Sequence, residues 1–218
     1  MLASIGLAVV LAAVGGFKLL RSLSFFAVKR VELVGAHYIT PAVMARALAV
    51  PKGASIFDGT GALERRAAQV GGVLEARVSR RLPGTIRVTV REAEPVALSE
   101  RSGRLVLLDQ AGHELPFDPT HPAEDLPLAE PDSAVAGLLA RMRETEPDLF
   151  AKVERGARVR RDVALDLAAG RLWFRAGASS EEIRHLVMVA DYLARKGRAW
   201  SELDARFASR IVVRGTGA

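Results

Sequence analysis

Between Leu74 and Val90 the sequence alternates with period two. Leu74, Ala76 and Val78 interleave with Glu75, Arg77 and Ser79; after a turn at Arg81-Leu82-Pro83-Gly84-Thr85, Ile86, Val88 and Val90 interleave with Arg87, Thr89 and Arg91. Successive side chains of a strand point to opposite faces, so this pattern predicts a hairpin with one buried face and one solvated face. The buried face needs an apolar cover, and the preceding residues supply it. Val31 and Leu33 share a face of a strand that Gly35 ends. Thr40-Pro41 then provides an N-cap and a proline at the first helical position. Val43, Ala47 and Leu48 are expected on the inner face of this short helix. Pro51-Lys52-Gly53 turns the chain into a second helix from Gly61 to Val70, with Leu63, Ala67 and Val70 on one side and Gly71-Gly72 after it. The order is β-α-α-β-β over residues 27–94: one small sheet with two helices on one face.

Residues 95–218 read as a second domain. Val96–Leu98 and Leu105–Leu108 predict strands, with a hairpin-type turn at Asp109-Gln110-Ala111-Gly112. Residues 116–131 carry five prolines and four acids and are expected to form a surface loop or extended connection. A helix from Ser133 to Thr145 follows, with Val135, Leu138, Leu139 and Met142 as its apolar stripe. Strands are expected near Ala157–Arg161, Val163–Leu167 and Leu172–Arg175. Ser179 with Glu182 forms a capping box that opens a second helix, and Gly197 stands where a C′ glycine belongs. Two strand-like runs, Glu202–Phe207 and Arg210–Arg214, close the chain. The expected fold class is α+β: an N-terminal transmembrane helix, a small β-α-α-β-β domain, then a mainly antiparallel β domain with two helices.

The transmembrane expectation rests on residues 1–22. Met1–Phe17 carries no charge, and Ser4 is its one polar side chain. A helix of this length spans about 25 Å, close to the roughly 30 Å hydrocarbon layer, and Lys18 can snorkel to extend it. Three readings compete: a single membrane anchor, a cleaved signal peptide and a buried core helix. The signal peptide lacks a basic n-region ahead of the run and a clear A-x-A site behind it. The anchor fits best. The positives near the run all follow it, which by the positive-inside rule alone favours a cytoplasmic C-terminal part.

The 218-residue chain has a formal net charge of +6, and the charge is unevenly placed. Met1–Arg30 holds four bases and no acid, Val31–Pro95 nine bases against six acids, and the remainder eighteen bases against nineteen acids. Nucleic-acid binding is a poor account of this. The arginines from Arg77 to Arg91 fall mostly on the polar parity of the hairpin, and no aromatic lies between Phe57 and Phe117 to stack a base.

Catalytic chemistry finds little support either. The chain has no cysteine, which excludes disulfides, thiol nucleophiles and thiolate metal ligation. His37, His113, His121 and His185 have no metal-ligand spacing, and no G-x-S-x-G, P-loop or G-x-G-x-x-G is present. Asp118, Glu124 and Asp125 cluster in the Pro-rich stretch without a sign of convergence. No catalytic, cofactor or metal residue is assigned, and the expectation is a membrane-tethered binding protein rather than an enzyme.

The run Arg80-Arg81-Leu82-Pro83-Gly84-Thr85-Ile86-Arg87-Val88-Thr89-Val90-Arg91-Glu92, followed by Pro95-Val96-Ala97, resembles the end of a POTRA domain, and specifically that of the bacterial cell-division family FtsQ/DivIB. Gly35, Ile39 and Thr40, with Leu33, resemble the family's first-strand pattern. Leu107–Gly112 resembles its L-V-D-x-x-G hairpin, and Asp125-Leu126-Pro127 the D-L-P after it. Asp204-Ala205-Arg206-Phe207 with Arg210–Arg214 resembles the closing D-x-R-[YF] and last strand. The motifs occur in the family's order across nearly the whole chain. The family's basic tail ahead of the anchor is not matched.

The resemblance implies a non-enzymatic scaffold of the divisome in the cytoplasmic membrane, single-pass, with the bulk of the chain extracytoplasmic at the division septum. It implies partners of the FtsB/FtsL coiled-coil type at the edge of the last strand, and other division proteins at the POTRA domain. Carried over by motif, the partner-binding residues are Arg206, Phe207, Ser209, Arg210, Ile211, Val212, Val213 and Arg214. Against this stands the plainer reading that the last strand merely closes the sheet. Two alternatives of other kinds remain: another POTRA-bearing secretion or outer-membrane assembly module, which usually carries tandem repeats or a barrel absent here, and an exported enzyme whose site is not recognisable.

Overall fold

The computed structural model describes residues 24–120, 125–207 and 210–215. The expected anchor, residues 1–22, lies outside them. Among the described residues, no helix is long and apolar enough to cross a membrane. The chain divides into two compact units that part between Ala93 and Glu94.

The first unit contains β1 (Arg30–Val34), α1 (Pro41–Leu48), α2 (Gly61–Ala68), β2 (Val73–Arg81) and β3 (Thr85–Glu92). The strand order is β1-β3-β2, with β1 parallel and β2 antiparallel to the central β3. Ile86, Val88 and Val90 are buried, as their parity requires, and meet Ile39, Met44, Leu48, Ile56 and Ala67 in the core. Thr40 caps α1 by accepting the Val43 N–H at 3.3 Å. Gly35 has φ of +79°, and a Cβ there would lie 2.4 Å from the Val90 carbonyl oxygen, so no other residue fits the end of β1.

Two details of this unit differ from the sequence expectation. In α1 the buried pair is Met44 and Leu48, whereas Val43 is exposed. The i, i+4 spacing of Met44 and Leu48 stacks two large side chains on one line over the sheet, and Val43 lies off that line. In β2, Ala76 and Val78 point inward but Leu74 is exposed, because the pairing with β3 shifts register between Val73 and Glu75. One extra residue in a strand turns everything beyond it to the opposite face.

The second unit is built on a sheet of nine strands among the described residues, in the order β12-β11-β10-β9-β8-β7-β4-β5-β6. They are β4 (Ala97–Arg101), β5 (Arg104–Leu108), β6 (Glu114–Leu115), β7 (Leu128–Ala129), β8 (Val153–Val159), β9 (Asp162–Leu167), β10 (Gly170–Arg175), β11 (Glu202–Phe207) and β12 (Arg210–Arg214). The helices are α3 (Ser133–Thr145), α4 (the single turn Pro147–Phe150) and α5 (Ser180–Arg195). Val135, Leu138, Leu139 and Met142 of α3 and Ile183, Leu186 and Leu193 of α5 pack with Val163, Leu165, Leu172, Phe174 and Leu203 in one core.

The sheet is mainly antiparallel, but β4–β7, β7–β8 and β10–β11 are parallel. A parallel neighbour needs a crossover, and α5 supplies it between β10 and β11. The segment expected as loop contains β7. Leu128 pairs with Leu98 on one side and Arg155 on the other, so this two-residue strand joins the halves of the sheet. Its brevity between Pro127 and Pro131 hides any period. β8 begins at Val153, earlier than expected, because its pairing with β9 extends to Val153–Leu167, and Gly156 lies within it. A Cβ on Gly156 would come within 2.9 Å of Val135 Cγ1 and 3.2 Å of Leu165 Cδ2. The glycine is there to let α3 approach the strand.

Candidate functional site

Among the described residues the last strand, β12, has a hydrogen-bonded neighbour on one side only. It pairs antiparallel with β11 through Glu202–Arg214, Leu203–Val213 and Asp204–Val212, and after a one-residue irregularity through Phe207–Arg210. An edge strand leaves alternate backbone N–H and C=O groups without partners in the sheet, so it is a template for one more strand. The opposite end of the sheet, β6, has two residues and offers much less.

The side chains of this edge fall into two groups. Arg206 and Arg214 are committed within the molecule. Arg206 donates from Nε and Nη2 to the two carboxylate oxygens of Asp204, at 2.8 and 2.6 Å, and from Nη1 to Asp162 at 3.0 Å. Its guanidinium lies 4.6 Å from the Trp173 ring centroid. Asp204 is almost fully buried, and its hydrogen bonds from Arg206 hold its carboxyl below the usual aspartate range. The same bonds raise the Arg206 guanidinium above its ordinary value. A buried carboxylate so paired is stable only with its partner in place. Arg214 bridges back to Glu202, its cross-strand neighbour.

Phe207, Arg210, Ile211 and Val213 form the second group. Phe207 and Val213 are exposed, Ile211 is half-buried against the core, and the Arg210 guanidinium sits 5.1 Å from the Phe207 ring. Among the described residues Arg210 has no acidic partner. Val212 shares its register with Asp204 and is half-buried. Ser209 lies outside the described residues.

Beside the edge runs a groove of about 340 Å³ between α5 and the last two strands. Met188, Val189 and Tyr192 of α5 face Phe207, Arg210 and Ile211 across it, and Glu182 and His185 close one end. Glu182 accepts the Ser179 N–H and an Arg175 hydrogen bond, which together hold its carboxyl below the usual range. Sequence reading did not single out this α5 face. The signal was present: Met188 and Tyr192 are large apolar residues at i, i+4, outside the buried Ile183–Leu186–Leu193 stripe. The groove lining is mixed: Met188, Val189, Tyr192, Ala205, Phe207 and Ile211 are largely apolar, and Glu182, His185 and Arg210 are polar. Among the described residues, no three His, Asp or Glu side chains converge to hold a metal ion.

Residues 26–93 match the POTRA domain of FtsQ type. Cell division protein FtsQ of Rhodothermus marinus is 31% identical over 209 residues, covering 85% of this chain and 76% of that protein. The chain belongs to the FtsQ/DivIB family. FtsQ of Streptomyces venezuelae is 30% identical over 202 residues, covering 85% of this chain and 74% of its own length. The extracytoplasmic domain of DivIB from Geobacillus stearothermophilus is 16% identical at a TM-score of 0.34, covering 48% of this chain and 96% of that domain. Seen as an FtsQ-type chain, the molecule is α+β, with a POTRA unit followed by a large sheet and few helices.

Proposed function

We propose that this chain is a non-enzymatic, membrane-anchored scaffold of the division machinery. In this reading residues 1–22 hold it in the cytoplasmic membrane at the septum with both units outside. Arg206, Phe207, Ser209 and the Arg210–Arg214 strand form the edge that receives a partner of the FtsB/FtsL coiled-coil type. One observation carries the reading: a five-residue strand with a single neighbour ends the sheet, and Phe207, Val213 and a largely apolar groove flank it. An added strand gains main-chain hydrogen bonds along the edge, while alternate side chains find pockets beside it. Arg206 acts indirectly, since its salt bridges to Asp204 and Asp162 fix the strand that β12 pairs with.

The test is capture of candidate coiled-coil division proteins by the full chain in detergent. Phe207→Ala removes an exposed aromatic and should weaken capture about tenfold, the effect of a ~1.4 kcal/mol contact. Ile211→Pro removes a backbone donor from β12 and should abolish capture. Thermal unfolding of each variant verifies that it folds. Unchanged capture by folded variants would remove β12 as the binding site.

A further inference from the structure

We infer that the β2–β3 hairpin tip and Phe25 form a membrane-facing tip on the first unit, which dips apolar side chains into an anionic bilayer surface. The inference rests on the reading of residues 1–22 as the anchor. Phe25 stands three residues beyond that run, at most about 10 Å of chain.

The segment that follows the run is fastened down. Val28 N–H donates to the Ala54 carbonyl at 2.8 Å, and Ile56 N–H to the Phe26 carbonyl at 2.8 Å. Lys29 N–H donates to the Gly84 carbonyl at 2.8 Å. Gly84 sits in the hairpin turn, and a Cβ on it would lie 2.5 Å from the Ala27 carbonyl oxygen. The backbone of the exit segment and the hairpin tip are therefore in direct contact. Any bilayer that holds the anchor lies close to both.

The side chains displayed there suit that surface. Phe25 is 59% exposed and Leu82 63% exposed, the latter more than any other large hydrophobic residue described. Around them stand Lys29, Arg30, Arg80 and Arg81, all exposed, and Lys52 lies two residues before Ala54. The nearby acids are engaged: Glu32 pairs with Arg87 at 3.1 Å and with Arg81 at 3.8 Å, and Asp58 accepts the Ser55 N–H at 2.9 Å. Arg80 donates to the Asp58 carbonyl at 2.9 Å and keeps its charge. Apolar residues ringed by bases are the composition of an interfacial membrane contact, where the apolar groups enter the headgroup boundary and the bases meet anionic lipid. The opposite end of β2 provides an internal contrast. Leu74 is also exposed, but lies about 26 Å away along the strand and has Glu75 beside it.

The chain has no cysteine, so single-cysteine labelling reports one position. The full chain carrying Leu82→Cys or Leu74→Cys, each with an environment-sensitive fluorophore, is reconstituted into vesicles of phosphatidylcholine with phosphatidylglycerol. Nitroxide-labelled lipid serves as quencher. The label at residue 82 should be quenched several-fold more strongly than that at residue 74. Lys29→Gln and Arg81→Gln should each lower the docked-to-free ratio about fivefold, as loss of ~1 kcal/mol per base predicts. Equal quenching at the two positions overturns the proposal and leaves the tip for a protein partner. Unchanged quenching in both charge variants overturns the lipid headgroup contact. Release of the chain from the vesicles by alkaline carbonate overturns the anchor itself, and the tip with it.

Discussion

Glu92 ends β3 with a buried carboxylate that accepts three backbone N–H groups, from His37 at 2.8 Å, Tyr38 at 2.9 Å and Ile39 at 2.8 Å. It ties the segment between β1 and α1 to the C-terminal end of the neighbouring parallel strand β3. Glu92→Ala leaves three donors without their acceptor and should cost about 3 kcal/mol, measured by urea unfolding. Asp204 makes a different contribution, one that depends on pH. Its folded pKa lies below the unfolded value because Arg206 bonds to the ionised form. Its stabilisation is therefore present at neutral pH and is lost as pH falls from about 4 through the folded pKa. Asp204→Asn should lower the melting temperature at pH 7, and should flatten its decline as pH falls below about 4. The residue types at both positions are visible in the family motifs. The Asp204 partner Arg206 stands in the same motif, but the remote partners are not visible: Glu92 acts on residues 53 to 55 positions away, and Asp162 lies 44 positions from Arg206.

Elements defined by local bonds were legible; elements defined by remote pairing were not. The helix α5 announces itself through Ser179 and Glu182, and both halves of the capping box form: Glu182 N–H donates to Ser179 Oγ at 3.2 Å, and Ser179 N–H to the Glu182 carboxylate at 2.7 Å. Ser179→Ala should destabilise the second unit by about 1 kcal/mol, read from thermal unfolding by circular dichroism. The cap of α3 at Asp132 is also local but one-way: its carboxylate accepts the Ala134 N–H at 2.8 Å and the Val135 N–H at 3.2 Å. By contrast β7 has two residues and no period, and only β4 and β8 on its two sides make it a strand. The outward turn of Leu74 likewise follows from register with β3, which the alternation of β2 taken alone does not contain.

At the level of the molecule, the two units have separate cores, one around Met44, Leu48 and Val88, the other around Leu139, Leu165 and Phe174. Each is expected to unfold as its own cooperative step. Leu48→Ala and Phe174→Ala each empty a fully buried site and should cost about 2–5 kcal/mol. In calorimetry Leu48→Ala should lower one transition and Phe174→Ala the other. A single transition moved by both substitutions would show one cooperative block. The charge distribution also belongs to this scale. The net positive charge concentrates in the chain up to Pro95, which holds thirteen bases against six acids, and part of those bases gather around Phe25 and Leu82 at the end nearest residues 1–22.

The sequence by itself determined the β-α-α-β-β order, the hairpin from Leu74 to Val90, the longer helices, the caps at Thr40 and Ser179 and the two closing strands. These depend on period, capping and turn chemistry within a few residues. Only the tertiary structure decided which strands are neighbours and in what direction. It placed α5 as the crossover to β11, and it left β12 with one side open. It also turned Arg206 inward onto Asp204, Asp162 and Trp173 while leaving Phe207 and Arg210 at the groove. A strand's own pattern says which residues share a face. Whether that strand is covered or left at an edge depends on hydrogen bonds to residues far along the chain.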